Sequence, residues 1–239
     1  MKVFVLNGWS ASAHAWDLCA FPRDRLFSYV DQLDGLPEKA VAAADEVLLV
    51  GWSMGGSSAL RLAAAFPEKT KGLVLVAATA RMMADDGWAG MSARRLAALE
   101  AGLRMTHGEG FFGVPEGRPN PYAMDDEASL SRGLDYLRTT DLRVSLEALG
   151  ASGRLACPVA VFQGERDGIV RAENAAYLKS VFPWAAVTMV PGPEHALPVA
   201  IPREIDAAVE DMLSRAGAGA ARARFAMCRG ADYGILPGR

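Results

Sequence analysis

A chain of 239 residues with a formal net charge of −3 and 51% hydrophobic side chains suits one folded α/β domain, since a single core stops growing near roughly 250–300 residues. That apolar fraction excludes a disordered chain, and 25 basic against 28 acidic residues lack the basic excess of a nucleic-acid binder. No stretch approaches the roughly 18–20 apolar residues of a membrane span.

In chain order, Val3–Leu6 is a short apolar run ending at Asn7-Gly8 and reads as a buried strand. Phe27–Val30 reads as a weaker strand closed by Asp34-Gly35-Leu36-Pro37, and alanine-rich Glu38–Asp45 as a short helix. Val47–Val50 is apolar throughout, as a central parallel strand covered on both faces should be. Met54–Phe66 turns helical and stops at Pro67, and Leu73–Ala78 is the next strand. This alternation predicts a mostly parallel sheet flanked by helices.

The alternation then stops. Residues 81–154 contain helical stretches at Ser92–Met105 and Glu127–Leu149, separated by the Gly/Pro/Phe-rich Gly108–Tyr122. It resumes with strand Val159–Phe162, helix Glu173–Phe182, strand Ala186–Val190 and helix Arg203–Arg215. The expected organisation is a core of 1–80 and 155–215, a helical lid of 81–154 over the strand ends, and a flexible tail of 216–239. Cys19, Cys157 and Cys228 form no C-x-x-C pair, which indicates neither a disulfide framework nor a zinc site. Isolated thiols and an N-terminal apolar run too short for a signal peptide point to the cytoplasm. No metal or cofactor is implied.

Gly51-Trp52-Ser53-Met54-Gly55 matches G-x-S-x-G with a strand before it and a helix after it. Small residues there let the chain turn sharply and lift a serine hydroxyl above the sheet, beside helix N–H groups that favour negative charge. A glycine-rich turn that merely packs is the plainer alternative. A serine nucleophile needs a base, and the base needs an orienting carboxylate. His107 and His195 follow Ser53; His195 lies in a loop after a strand, whereas His107 lies in the inserted region. His14 precedes the serine and opens a helix, which suits structural packing. After strand 159–162, Glu165 and Asp167 are the available acids, and the Gly-x-x-Asp-x-x-Val spacing favours Asp167. The oxyanion donors would be the backbone N–H groups of Met54 and Trp9, the latter on the loop after the first strand, with the Trp9 indole walling the acyl pocket. Phe111, Phe112 and Tyr122 are further aromatics for that pocket.

With these residues placed, the chain resembles the α/β-hydrolase superfamily, and within it the BioH-type esterases of biotin synthesis, which act on pimeloyl-acyl-carrier-protein methyl ester. Asn7-Gly8-Trp9, Gly51 to Gly56 and Gly133 to Arg143 carry the likeness, extended by Gly164–Val170 and Pro191–Leu197. It implies an α/β-hydrolase fold, here reduced because the usual first hairpin is absent, with Ser53, Asp167 and His195 as triad. It also implies a substrate-lining lid helix with Leu96, Leu99 and Glu100, Leu96 standing where phenylalanine is usual and Glu100 where glutamine is. Arg95, Arg138 and Arg143 are the implied contacts to acyl carrier protein. Residues 81–154 hold nine Arg against eleven Asp/Glu, so such a contact would be a local face. A general short-chain carboxylesterase without a carrier partner and a non-catalytic ligand-binding hydrolase fold are the rival readings.

Overall fold

In the computed structural model, which describes residues 1–106, 121, 125–192 and 194–229 (Leu103 and 218–229 by backbone alone), the apolar runs become strands of one sheet. These are β1 (Lys2–Leu6), β2 (Arg25–Phe27), β3 (Val47–Trp52), β4 (Thr70–Val76), β5 (Val159–Gly164) and β6 (Ala186–Val190). Their order is β2-β1-β3-β4-β5-β6, and each neighbouring pair is parallel. Parallel strands need crossovers, and helices supply them: α1 (Tyr29–Leu33), α2 (Leu36–Ala43), α3 (Met54–Ala65), α4 (Ala93–Thr106), α5 (Glu127–Thr139), α6 (Arg143–Ser152), α7 (Glu173–Val181), α8 (Leu197–Ala200) and α9 (Pro202–Arg229).

β3 is fully buried because it feeds two cores. Successive side chains point to opposite faces, so Val47 and Leu49 join the cluster containing Leu60 and Leu62 of α3, Leu146 and Leu149 of α6 and Leu178 of α7. Leu48, Val50 and Trp52 join Trp16, Phe21, Leu197, Ile205 and Val209 on the other face. A third cluster sits above the strand ends, where Trp9, Tyr29 and Met54 meet Leu96 and Leu99 of α4 and Leu130, Leu134 and Leu137 of α5.

Beside shifts of two or three residues at other ends, such as Thr70–Val76 for β4, three departures from the sequence reading are structural. β2 ends at Phe27, and 29–33 is helical because Ser28 and Asp31 form a capping box: the Asp31 N–H donates to Ser28 Oγ at 3.1 Å and the Ser28 N–H to Asp31 Oδ2 at 2.8 Å. The stretch Glu127–Leu149 is two helices, α5 and the core helix α6, parted at 140–142. α9 runs past Arg215 to Arg229.

The break between α5 and α6 is pinned by a backbone hydrogen bond and by ion pairs. The Leu142 N–H donates to the Ala80 carbonyl at 2.9 Å, which ties the exit of the insertion to its entrance. Around this tie Arg81 reaches Asp141 at 2.5 Å, and Arg143 Nη2 reaches both Asp141 and Asp85 at 2.7 Å. The Arg143 guanidinium also lies over the Trp88 ring, 5.3 Å from its centroid. The hydrogen bond from Arg143, supplemented by the Arg143 N–H and by Arg81, holds the Asp141 carboxyl well below the usual carboxylate range. A depressed folded-state value stabilises the fold fully above the free-chain value of about 3.9 and loses that stabilisation as pH falls through the folded value. Asp141→Asn should therefore lower Tm at pH 7 by about 2–4 °C, the scale of roughly 1 kcal/mol in a chain of this size. The difference from wild type should persist down to about pH 4 and shrink only below it, as thermal melts across pH 2–8 would check.

Candidate active site

The direction of chain progress across the sheet reverses at β1: the chain moves out to β2, then returns to lay β3 on the other side of β1. In open parallel sheets the crevice outside the strand ends at such a reversal is where ligands bind. Two connections leave the carboxyl ends there: Asn7–Ser10 after β1, and Ser53 after β3.

Ser53 has φ 57° and ψ −119°, a left-handed conformation that a residue with a Cβ adopts only where packing enforces it. Gly55 provides part of the enforcement, because a Cβ there would fall into the Leu6 carbonyl of β1. The turn leaves the serine at the N-terminus of α3, where first-turn N–H groups lack acceptors within the helix. Gly8 lies against it, the Ser53 Cβ being 3.3 Å from where a Cβ on Gly8 would stand.

His195 closes on this serine. Its Nε2 is 3.0 Å from Ser53 Oγ, and its Nδ1 is 2.8 Å from Asp167 Oδ2. Asp167 is oriented from behind: its Oδ1 accepts from the N–H groups of Ile169 at 2.7 Å and Val170 at 3.1 Å. All three residues are buried. This hydrogen-bonded order fixes one imidazole tautomer and leaves Nε2 to accept a proton from the serine. Of the two acids after β5, Asp167 meets the histidine and Glu165 is exposed. His14 is exposed and bonded to Asp17 at 2.7 Å, so it does not pack as a core residue. His107, Phe111, Phe112 and Tyr122 lie outside the described residues.

The supports of this constellation are hydrogen bonds that spacing does not reveal, made by Asn7 and Trp52 of the quoted motifs and by Gln32 and Gln163, which no motif marks. Asn7 is buried and uses its whole amide: Nδ2 donates to the Ala11 and Ser12 carbonyls at 3.4 and 3.1 Å, and Oδ1 accepts from Trp16 Nε1 at 2.6 Å. Gln32 Nε2 donates to the Asn7 carbonyl at 2.8 Å. Together they fix the loop bearing Trp9, whose next residue, Ser10, has φ 53°. Trp52 Nε1 donates to the His195 carbonyl at 2.8 Å and braces the histidine loop. Gln163 Nε2 donates to the Val170 carbonyl at 2.8 Å beneath the Asp167 turn. The one local hint was Trp52 beside the serine; the other partners are too distant in sequence to pair by inspection.

Gly8, Trp9, Trp52, Ser53, Met82, Leu99, Leu137, Ile169 and His195 line a cavity of about 20 Å³ beside the serine, room for one or two water molecules. Among the residues expected to line it, Trp9 and Leu99 do so, and Leu96 is buried in the adjoining cluster; Met54, expected as an oxyanion donor, is buried in that cluster too. Glu100 is not on this cavity: Arg104 holds its carboxylate at 2.8 Å, with Arg138 3.6 Å away. Arg143, expected on a carrier face, is occupied by Asp85, Asp141 and Trp88. Arg138 also pairs with Asp135 at 3.4 Å. Arg95 is exposed against the Asp167–Gly168 turn, with no ion-pair partner among the described residues.

Burial pushes the Cys19 thiol up to about 12 and the Cys157 thiol up to about 11, so neither supplies a thiolate near neutral pH. Among the described residues no three His, Cys, Asp or Glu side chains gather as metal ligands, and no helix is long and apolar enough to cross a membrane.

The sequence pattern of the Alpha/beta hydrolase family matches residues 6–208. The chain belongs to this family. A pimeloyl-[acyl-carrier protein] methyl ester esterase of Yersinia enterocolitica is 27% identical over 244 residues, covering 87% of this chain and 91% of that protein. One from Chromobacterium violaceum is 33% identical over 160 residues, 62% of each chain. In fold this hydrolase is similar to a Pseudomonas aeruginosa hydrolase (TM-score 0.64, 19% identity, 89% of each chain). It is similar too to an Exiguobacterium antarcticum esterase (TM-score 0.63, 17% identity, 90% of this chain and 91% of that one).

Asn7→Ala should leave the Trp16 indole N–H buried without an acceptor and lower unfolding free energy by about 1–3 kcal/mol in urea titrations. Asn7→Asp keeps that acceptor but buries a carboxylate against the Ala11 and Ser12 carbonyls, so its cost should be at least as large.

Proposed function

We propose that this hydrolase is a serine carboxylesterase whose substrate is the methyl ester of a pimeloyl chain on acyl carrier protein, in biotin synthesis. The Ser53–His195–Asp167 hydrogen-bonded chain, at 3.0 and 2.8 Å, carries the reading of the chemistry. The names of the relatives support the reading of the substrate.

In this mechanism Ser53 Oγ attacks the ester carbonyl carbon while His195 Nε2 takes the hydroxyl proton. The carbonyl π electrons move onto oxygen, and the N–H groups of Trp9 and Met54 receive that oxyanion; a donor of this kind typically contributes about 3–4 kcal/mol to transition-state stabilisation. Asp167 holds the imidazolium. The carbon–oxygen bond to the alcohol then breaks, His195 delivers its proton to the alkoxide, and methanol leaves an acyl-Ser53 intermediate. Water attacks this ester with His195 again as base, and collapse returns the proton to Ser53 and releases the carboxylic acid. Atoms balance as ester plus water giving acid plus alcohol.

The second reading is a general esterase for short acyl chains without a carrier partner, since residues 81–154 hold nine Arg against eleven Asp/Glu and so present no basic excess to an acidic carrier. The pairing of Arg143 and Arg138 within the chain also leaves Arg95 as the least committed of the three proposed carrier contacts.

Ser53→Ala should abolish hydrolysis of p-nitrophenyl acetate and labelling by a fluorophosphonate probe; retained turnover would overturn the mechanism. Asp167→Asn should lower kcat by roughly 10³–10⁴-fold through the wrong imidazole tautomer. Complementation of a biotin-requiring strain lacking its own esterase separates the substrate readings: rescue supports the carrier-bound ester, and failure with active protein supports the short-chain esterase.

A further inference from the structure

The Trp9 indole is held from the side opposite to its own loop. Its Nε1–H donates to the Leu130 carbonyl of α5 at 3.1 Å. A Cβ added at Gly133, next on the same helical face, would stand 2.6 Å from that nitrogen and closer still to the adjoining ring carbon. The helix therefore touches the ring edge with bare backbone. Tyr29, itself 1% exposed and in the same buried cluster, lies 3.1 Å from that Cβ position, and Trp9 is 7% exposed, so an added methyl meets packed rings and the indole has little free space around it. α5 has a second anchor in the ion pair of Arg132 with Asp34 at 2.6 Å, and Leu134 and Leu137 bury it in the cluster that includes Trp9. Only two side-chain torsions separate this clamped ring from the Trp9 backbone, and the next residue already holds a left-handed φ of 53°.

We propose that Leu130 and Gly133 are positioning residues for the hydrolytic reaction: by seating the Trp9 indole, α5 aims the Trp9 backbone N–H at the oxyanion. This rests on the reading of Ser53 as nucleophile and of the Trp9 N–H as oxyanion donor. A donor of this kind works only within about 2.7–3.1 Å of the developing charge, so displacement of a few tenths of an ångström costs turnover. The ground-state ester oxygen carries little charge, so the loss falls on kcat and spares KM.

The test measures kcat and KM for p-nitrophenyl acetate, Tm, and affinity for a trifluoromethyl ketone, whose serine adduct places an alkoxide where the oxyanion forms. Gly133→Ala should lower kcat about 10–100-fold with KM within about twofold, and weaken the ketone by a similar factor. Trp9→Phe, which keeps a ring and loses the donor to Leu130, should lower kcat about 3–10-fold. In a Trp9→Ala background Gly133→Ala should change kcat by less than about twofold, because the ring it would strike is gone. Unchanged kcat in Gly133→Ala or Trp9→Phe, or the same factor lost in both backgrounds, would overturn the proposal. If Gly133→Ala does not fold alone, Trp9→Phe decides by itself. Turnover retained by Ser53→Ala is a separate outcome and overturns the nucleophile reading instead.

Discussion

A serine hydroxyl can stand clear above a buried parallel sheet only if the chain turns more sharply than an L-residue prefers. At Ser53 that requirement is the left-handed φ of 57°, a conformation costing on the order of 1–3 kcal/mol that surrounding packing must over-determine. The over-determination comes from close backbone approach between the serine turn and the end of β1, where Gly55 meets the Leu6 carbonyl. Because β1 and β3 are neighbours, the loop bearing Trp9 is delivered beside the same serine. The site is thus a consequence of which strands pair, before any side chain contributes chemistry.

Three indole N–H groups then secure the loops that meet there. Trp16 holds Asn7 at the root of the Trp9 loop, Trp52 holds the His195 carbonyl, and Trp9 holds α5 through Leu130. Each presents a large apolar body to a core and one polar tip that must find an acceptor when buried. A buried indole whose tip is bonded to a loop gives that loop a fixed point, and a catalytic geometry built on loops needs such points.

What was legible in the sequence was what is local. The serine turn, its strand and its helix lie within one short window, and the acid and histidine follow strands that the apolar pattern marks. The Ser28–Asp31 capping box was also local, yet the apolar Phe27–Val30 run masked it, so β2 was read too far along the chain and α1 was missed. The supports were not legible because they are long-range: Trp52 and His195 are 143 residues apart, and Gln32 and Asn7 are 25 apart. Arg143 shows the converse. Resemblance placed it on a binding face, but two aspartates and an aromatic ring inside the chain occupy it.

The tie between Ala80 and Leu142 has an architectural consequence. Since entrance and exit of the insertion are bonded to each other, the sheet experiences the whole segment between them as a single short connection. Lengthening such a segment costs only about 0.6 kcal/mol of closure entropy per doubling, and that cost does not reach β4 or β5. The stretch between these anchors is therefore joined to the strands at a single gate, while α5 within it still bears on the Trp9 ring beside the serine.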